Sequence, residues 1–478
     1  MNQVLGTATA ARRRGCQADP VMLPAGADRR GRDPAGRPHR ATDRAIAALA
    51  VPAFGALVAQ PLFLLVDAAV VGTLGTAALA GLGAAGTIFG LVVGLCIFLA
   101  YTTTSSVARR LGAGDWEGGL AQGLDGMVLG ALLGVLLGLA TWPFAAPLVG
   151  LLGVSDEAAP YAVAYLHVIA WVLPAVLVGT AGVGVLRGLQ DTRTTLVITV
   201  VVVGLNTVLS PLLVLGLHWG IEGSAIATAV AEVVQALAYL AVLVRIARRR
   251  GVRLRPTGFG LLAAIGDGAP LFWRTLALRG VFLVAAGVAA RMGDADLAAY
   301  HVSFQVWILL ALAADALAIA GQALLGLRLG AGDLLGARAV TGRLVRLGLW
   351  LGIALGLLLL AVRPWLPSWF SADPQVQALL AGALLVAALQ QPLAAPVFAV
   401  DGVLIGAGDG RWLAGAGTVM LLAFLPAAWL VLTLDLGVVG LWWALTWFML
   451  VRGLLLAHRV RGDGWLRAGA TTRNVTGR

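Results

Sequence analysis

A carboxylate lies inside the first long apolar stretch of the chain. Residues 51–75 read VPAFGALVAQPLFLLVDAAVVGTLG, a run long enough to cross a bilayer, and Asp67 is its one charged residue. An ionisable side chain on a membrane-spanning helix is costly, so Asp67 is a candidate for carrying a proton or binding a cation. Pro61 lies six residues earlier and frees a backbone carbonyl, which permits a bend. We predict that this helix changes shape when Asp67 gains or loses its charge.

Two simpler interpretations of these residues stay open. Asp67 could be a solvated carboxylate near the outer end of the helix, because only about six residues separate it from Thr73. Pro61 could introduce a fixed kink rather than a hinge.

The composition is that of a polytopic membrane protein. Of 478 residues 60% are hydrophobic and only 12% are charged, and continuous apolar runs indicate all-α structure rather than barrel strands. Breaks at charged, glycine-rich or proline-containing positions separate twelve predicted transmembrane helices. Their approximate cores are 46–73, 78–107, 119–143, 159–187, 194–217, 222–246, 262–291, 296–327, 338–362, 375–405, 412–433 and 437–458.

The basic residues are distributed unequally between the two faces of this bundle. All 34 basic residues are arginines, and this topology places 30 of them on the face that holds both termini. Both termini are therefore expected in the cytoplasm, because loops on that side of a membrane are enriched in positive charge. The same distribution accounts for the net charge of +11 without a nucleic-acid partner. Residues 1–41 are expected to form a disordered arginine-rich tail.

The sequence repeats itself at an offset of 218 residues. RLGAGD occurs at 110–115 and again at 328–333, and Pro52 and Pro270 share the offset. Two homologous halves of six helices, in the same orientation, should be related by a pseudo-two-fold axis along the membrane normal, with a substrate cleft between them. The predicted segments are an amino-terminal tail (1–41), a first lobe (42–247), a basic linker (248–259), a second lobe (260–462) and a carboxy-terminal tail (463–478).

Three stretches together resemble one transporter family. They are PLFLLVDAAVVGTLG in the first helix, RLGAGD after the second and GLQDTR after the fourth, and the chain is similar to the multidrug and toxic compound extrusion (MATE) family, nearest its DinF-like branch. The resemblance covers all but the two tails. It implies the fold of the MOP superfamily, V-shaped with a central cleft. It also implies an antiporter that exports organic, often cationic and amphipathic, compounds while protons or sodium ions run inward.

The resemblance also implies a cation site in the first lobe. The family builds it from an aspartate matching Asp67, an asparagine and an aspartate on helix 5, and a threonine on helix 6; here the last three positions are Asn206, Ser210 and Thr228. Serine offers an oxygen ligand without charge, so Ser210 favours protons over sodium, which remains the alternative. Asn206 and Thr228 could instead be ordinary interhelical hydrogen-bond partners.

The second lobe holds inward charges of its own. Arg274 and Arg279 fall on helix 7 and Asp315 on helix 8. Unpaired charge at such depth is costly, so we expect an ion pair between Arg279 and Asp315, with contact to substrate or protons in the cleft as the alternative. The repeat aligns Asp67 with Ala285, so the second lobe does not duplicate the carboxylate.

Other functions fit the sequence less well. No GxxxxGK[ST] motif for ATP and no interfacial cluster of carboxylates or histidines for an enzyme occurs in the chain. A lipid-linked precursor flippase of the same superfamily is the main alternative, although such proteins commonly have a strongly cationic cavity. We expect a monomer in the plasma membrane that carries small organic molecules and needs no cofactor.

Overall fold

Apolar runs that end at glycine, proline or charged residues form helices throughout the computed structural model. It describes residues 40–256 and 258–471, and the side chains of all of these except 258–263. Residues 1–39 of the predicted tail lie outside the described part. The described helices are α1 (Arg40–Gly72), α2 (Thr76–Leu95), α3 (Phe98–Gly112), α4 (Trp116–Gly150), α5 (Ala159–Ala170), α6 (Leu173–Gly188), α7 (Thr192–Pro211), α8 (Gly220–Arg250), α9 (Gly258–Ala290), α10 (Asp294–Gly330), α11 (Leu334–Val362), α12 (Leu366–Phe370), α13 (Pro374–Gly406), α14 (Gly410–Thr433) and α15 (Gly437–Arg461).

These helices supply the predicted membrane spans. Within the described residues, eleven spans are long and apolar enough to cross a bilayer, and a twelfth results if α5 and α6 count as one span bent by 60°. The predicted all-α membrane architecture is confirmed. Two spans are interrupted: α2 and α3 meet at Cys96 and Ile97, and α7 ends in a π-helical turn over Leu212–Gly216.

The repeated RLGAGD sequence forms the same turn in both halves. Asp115 accepts a backbone N–H from the first turn of α4 at 2.8 Å and an Arg110 hydrogen bond at 2.9 Å. Asp333 does the same for α11, with Arg328 as its partner. The glycine before the aspartate, Gly114 in the first copy, has a φ of +79°, which favours glycine. The arginine, the second glycine and the aspartate of the motif thus each have a conformational or capping reason.

The two halves meet where α3 crosses α10. Gly112 ends α3 and Gly330 ends α10, and each lies so close to the other helix that an added methyl group would collide with a backbone carbonyl. Gln322 extends the contact, because its side-chain amide nitrogen, Nε2, donates to the carbonyl of Tyr101 at 2.8 Å. We call this side of the molecule, at which the two RLGAGD turns lie, the closed face.

The segment after α15 also packs at the closed face. Trp465 is only 1% exposed, and the backbone N–H of Gly469 donates to α10. Arg109 of α3 donates to the carbonyl of Arg467 at 2.5 Å. Residues 463–471, which the sequence assigned to a tail, therefore contact both halves. From Thr42 onward the described residues form one compact unit.

Candidate functional site

Asp67 lies in the interior of the first half, on α1. Asp67 is only 2% exposed. Its Oδ1 atom accepts hydrogen bonds from Ser224 of α8 at 2.5 Å and from Ser210 of α7 at 3.0 Å. A solvated carboxylate near the helix end is therefore the wrong interpretation of Asp67. Three helices converge on one carboxylate oxygen.

The other predicted residues of this site form a second, adjoining pair. Asn206 Nδ2 donates to Thr228 Oγ1 at 3.2 Å, and the hydroxyl of Tyr165 lies 3.4 Å from the same oxygen. Asn206 precedes Ser210 by four residues on α7, so both face α8. Asn206 Oδ1 is fully buried and has no hydrogen-bond partner among the described residues.

The electrostatics of the site are those of a single buried negative charge. Within the described part of the chain no arginine or histidine forms an ion pair with Asp67, and its second oxygen, Oδ2, accepts no hydrogen bond. Two hydroxyl donors offset only part of the cost of burying a carboxylate. The site can therefore be stable with a proton on Asp67 or with a cation beside it.

Two participants escaped the sequence analysis. Ser224 makes the shorter hydrogen bond to Asp67, and Tyr165 lies within electrostatic range of that carboxylate. Ser224 precedes Thr228 by four residues, a spacing that places both on one face of α8. That spacing was a usable signal, whereas nothing local in the sequence distinguishes Tyr165.

The packing of α1 leaves its middle largely free. Asp43 near its start is bound by Arg343 of α11 at 2.5 Å, and Asp67 anchors the far end. Between these anchors, around Pro61, Leu65 is 66% exposed in the absence of lipid. The described side-chain hydrogen bonds of α1 thus lie on both sides of its proline.

The second-half charges pair differently from the expectation. Among the described residues no ion pair joins Arg279 to Asp315; instead Arg274 binds Asp401, and Arg452 lies 3.2 Å from the same carboxylate. Arg279 is exposed on the side of α9 that meets α2, while Arg274 is buried within the second half. Arg274 pairs with Asp401 because its side chain points into the second half, whereas the side chain of Arg279 points toward α2.

Comparison with known proteins assigns the chain to a family. The MatE family model matches residues 52–212 and 270–430, two segments that are 218 residues apart. The chain is 30% identical to Protein DETOXIFICATION 43 of Arabidopsis thaliana, over 88% of this chain and 91% of that protein. It is 29% identical to DNA damage-inducible protein F of Escherichia coli, over 87% and 91%.

Solved structures agree with the fold. A MOP superfamily transporter from Pyrococcus furiosus superimposes with a TM-score of 0.81 at 22% identity, covering 88% of this chain and 95% of that one. A multidrug resistance MATE transporter in an outward-facing conformation gives 0.79, also at 22% identity, with coverage of 88% and 95%. With its two family matches, the chain belongs to the MATE family of membrane transporters, which are not enzymes and act on small molecules.

Proposed function

We propose that the protein is a proton-coupled antiporter that exports organic compounds, with Asp67 as the proton carrier. The observation that supports this most directly is the composition of the buried site. Asp67 is the only charged group in its own hydrogen-bonded set, since the side chains bonded to it are the neutral hydroxyls of Ser210 and Ser224. The next carboxylate, Glu232 of α8, lies within electrostatic range of Tyr165 and makes no described contact with Asp67. A proton needs one acceptor, whereas sodium favours a larger set of oxygen ligands that carry more negative charge.

The coupling step follows from the cost of burying charge. A proton that binds Asp67 Oδ2 neutralises the carboxylate, so the enclosed arrangement around α7 and α8 is stabilised. Loss of that proton restores the charge, which two hydroxyls stabilise only in part. The protonated state then favours movement of α1 about Pro61, and this movement displaces bound compound outward.

Sodium coupling remains the second candidate because of one atom. The buried Asn206 Oδ1 has no partner among the described residues, and an amide oxygen is a suitable ligand for a hard cation. With Asp67, Ser210 and Ser224 it would offer sodium several oxygens.

The membrane orientation is part of the proposal. The closed face carries the arginine-rich loops, and this supports a plasma-membrane orientation with that face and both termini in the cytoplasm. With the seal on that side, we infer that the space between the two halves opens toward the outside. A monomer is sufficient for this function, because both halves of the cleft belong to one chain.

Reconstituted liposomes test the proposal. Efflux of a cationic dye, rhodamine 123, and an anionic dye, 5-carboxyfluorescein, is measured with either a proton gradient or a sodium gradient. We expect at least one dye to follow the proton gradient in the wild-type protein. Asp67→Asn should reduce this coupled efflux to the level of protein-free liposomes, because the amide does not carry the proton.

A matched variant separates coupling from general damage. Asp294 is an exposed carboxylate at the start of α10, so Asp294→Asn should transport like the wild type. Sodium-driven efflux without proton-driven efflux would reverse the assignment of the ion. Undiminished proton coupling in a folded Asp67→Asn protein would show that the carrier lies elsewhere.

A further inference from the structure

Four charged side chains lie within electrostatic range of a fifth, Asp315, near the boundary between the two halves. Arg187 comes from α6 of the first half, and Asp315, Arg274, Asp401 and Arg452 come from α10, α9, α13 and α15 of the second. We call this set the charged floor.

The charged floor lies beside the contacts that seal the closed face. Tyr101, whose carbonyl is bonded to Gln322 of α10, is within electrostatic range of Arg187 and Asp315. Asp315 precedes Gln322 by seven residues, which is about 10 Å along a helix on the side away from the closed face. Asp315 and Tyr101 are partly exposed, so a small molecule or solvent can reach this part of the interior.

Arg187 is the most unusual member of the set. It is only 9% exposed, and it makes no hydrogen bond or ion pair with any described side chain or carbonyl; its Nε atom is fully buried without a partner. A guanidinium keeps its charge in proteins, and a buried charge without a partner is strongly unfavourable. Such a group needs an anion that the chain itself does not bring into contact.

The remaining charges do not supply that anion. Asp401 binds both Arg274 and Arg452, so one carboxylate serves two guanidiniums. Asp315 is the other carboxylate, and it has no ion pair among the described residues. Three arginines thus face two aspartates, and the buried Arg452 Nε also lacks a partner. Both arginines bind Asp401 through Oδ2, and in the part of the chain that the structure describes the buried Asp401 Oδ1 has no partner either. The charged floor nevertheless has one more arginine than aspartate, and Arg187 is the arginine without a described ion pair.

We propose that the charged floor is a subsite for an oxyanion, a carboxylate or phosphate group, on the transported organic compound, with Arg187 as its principal contact. Arginine presents several N–H donors in a planar arrangement that matches both groups. The inference rests on the proposed function, since it names the class of cargo for the same cleft. It departs from the cationic cargo that the family resemblance implies, and a zwitterion would satisfy both.

A binding experiment on the purified full-length protein tests the subsite first. Thermal unfolding is measured with increasing benzoate, inorganic phosphate or benzamide, which has the ring of benzoate without its charge. We expect benzoate or phosphate to raise the unfolding temperature of the wild-type protein and benzamide to leave it unchanged. Equal effects of benzoate and benzamide, or no effect of either anion, would overturn the proposal without any variant.

Substitutions then locate the anion. Arg187→Met should weaken the apparent affinity for the stabilising anion by at least about tenfold, because a charged hydrogen-bonding partner is lost. Arg193→Gln removes an exposed arginine nearby in sequence and should leave the affinity unchanged. Asp315→Asn should strengthen binding, since it removes a competing negative charge. Weaker binding in Asp315→Asn would instead indicate that Arg187 and Asp315 act as a gating pair.

Transport distinguishes a cargo subsite from other anion sites. In liposomes, Arg187→Met should reduce 5-carboxyfluorescein efflux by at least about tenfold more than rhodamine 123 efflux. An equal reduction of both would contradict a role in recognising cargo. Stabilisation by phosphatidylglycerol vesicles but not by either soluble anion would assign Arg187 to a lipid headgroup and overturn the proposal.

The carboxylate variant separates this inference from the proposed function. Asp67→Asn should lose coupled transport yet keep the stabilisation by benzoate or phosphate, since Asp67 does not belong to the charged floor. If Asp67→Asn still binds the anion and still couples efflux to the proton gradient, the coupling role of Asp67 is rejected and the anion subsite is retained. If Arg187→Met loses anion binding but keeps proton-coupled efflux of rhodamine 123, only the cargo subsite is damaged, as the proposal expects.

Discussion

The site around Asp67 combines burial with an unusually small number of stabilising donors. Ser210 and Ser224 are short side chains, so they can donate to the carboxylate only because α7 and α8 bring them within 3.0 and 2.5 Å. Both bonds go to Oδ1, so Oδ2 is available to the proton or cation that the proposed function requires. A site in which one oxygen is fixed and the other is available suits a group that must gain and lose a proton repeatedly.

Ser210 provides a test of ion choice. In Ser210→Asp a second carboxylate would lie about 3 Å from Asp67. Two buried carboxylates at that distance cannot both remain charged without a cation, and sodium can bridge them. We expect sodium to raise the thermal unfolding temperature of this variant, and sodium-driven dye efflux to appear where the wild type has little.

The isosteric control is Ser210→Ala, which removes the hydroxyl without adding charge. It should show no sodium response beyond that of the wild type. If the aspartate variant is equally indifferent to sodium, then the identity of residue 210 does not determine the coupling ion.

The sequence located individual functional residues better than it located their partners. Asp67 stood out because an isolated carboxylate in an apolar helix is rare, but Ser224 did not, because serine is common in such helices. Arg187 and Arg452 were counted among the arginines of the basic face, yet they are 9% and 4% exposed. Charge in a sequence gives the approximate height of a residue in the membrane and leaves open the direction in which its side chain points.

At the scale of the helix, α1 is the element best suited to move. Its described side-chain hydrogen bonds are at Asp43 and Asp67, and its buried apolar contacts before the second proline include Ala53. Leu62, Leu64 and Leu65, which follow Pro61, are each more than half exposed. A helix that loses little packing when it bends has a low cost of rearrangement. Pro61 lies between the anchors, where one backbone hydrogen bond is already missing.

Pro61→Ala should restrict that rearrangement. Alanine restores the backbone donor and favours an uninterrupted helix, so we expect unchanged or higher thermal stability together with a roughly tenfold slower coupled efflux. The pairing of unaltered stability with slower transport identifies a hinge, whereas a fixed kink would leave the rate unchanged.

Pro143→Ala is the matched control for the hinge. Pro143 also lies inside a long helix and is exposed, but α4 does not carry the coupling carboxylate. Its replacement should leave the efflux rate unaltered. Slower efflux in both variants would point to a general effect of helix prolines and not to a hinge in α1.

Helix positions were largely predictable because each span must satisfy its own backbone in lipid. The interruptions were not: Cys96 ends α2 without a proline or glycine at its break, and Trp171 separates α5 from α6 within one apolar run. The second break does have a local cause, because Pro174 occupies the first turn of α6 and favours a helix start there. The short α12 was missed because five residues give too little periodic pattern.

At the scale of the whole molecule, the described hydrogen bonds between halves favour one face. Ser105 and Arg109 of α3 donate to the carbonyls of Gly406 and Ala407 at the end of α13, and Gln190 donates to α10. Most of these bonds end on backbone carbonyls, so they can be replaced by water when the halves separate. The closed face is therefore sealed by bonds that can be exchanged for water, which suits the alternating access that the proposed function requires.

The close approach of Gly330 to α3 makes this seal sensitive to a single methyl group. Alanine normally stabilises a helix by roughly 0.5–1 kcal/mol relative to glycine, but here it would meet the carbonyl of Arg109, and such overpacking costs about 1–3 kcal/mol. Gly330→Ala should therefore weaken the closed face and speed amide hydrogen exchange in residues 105–113. Gly342→Ala is the control, because a methyl group there meets open space on α11 and should be neutral or stabilising. If both variants leave exchange at the closed face unchanged, the α3–α10 crossing does not hold the two halves together.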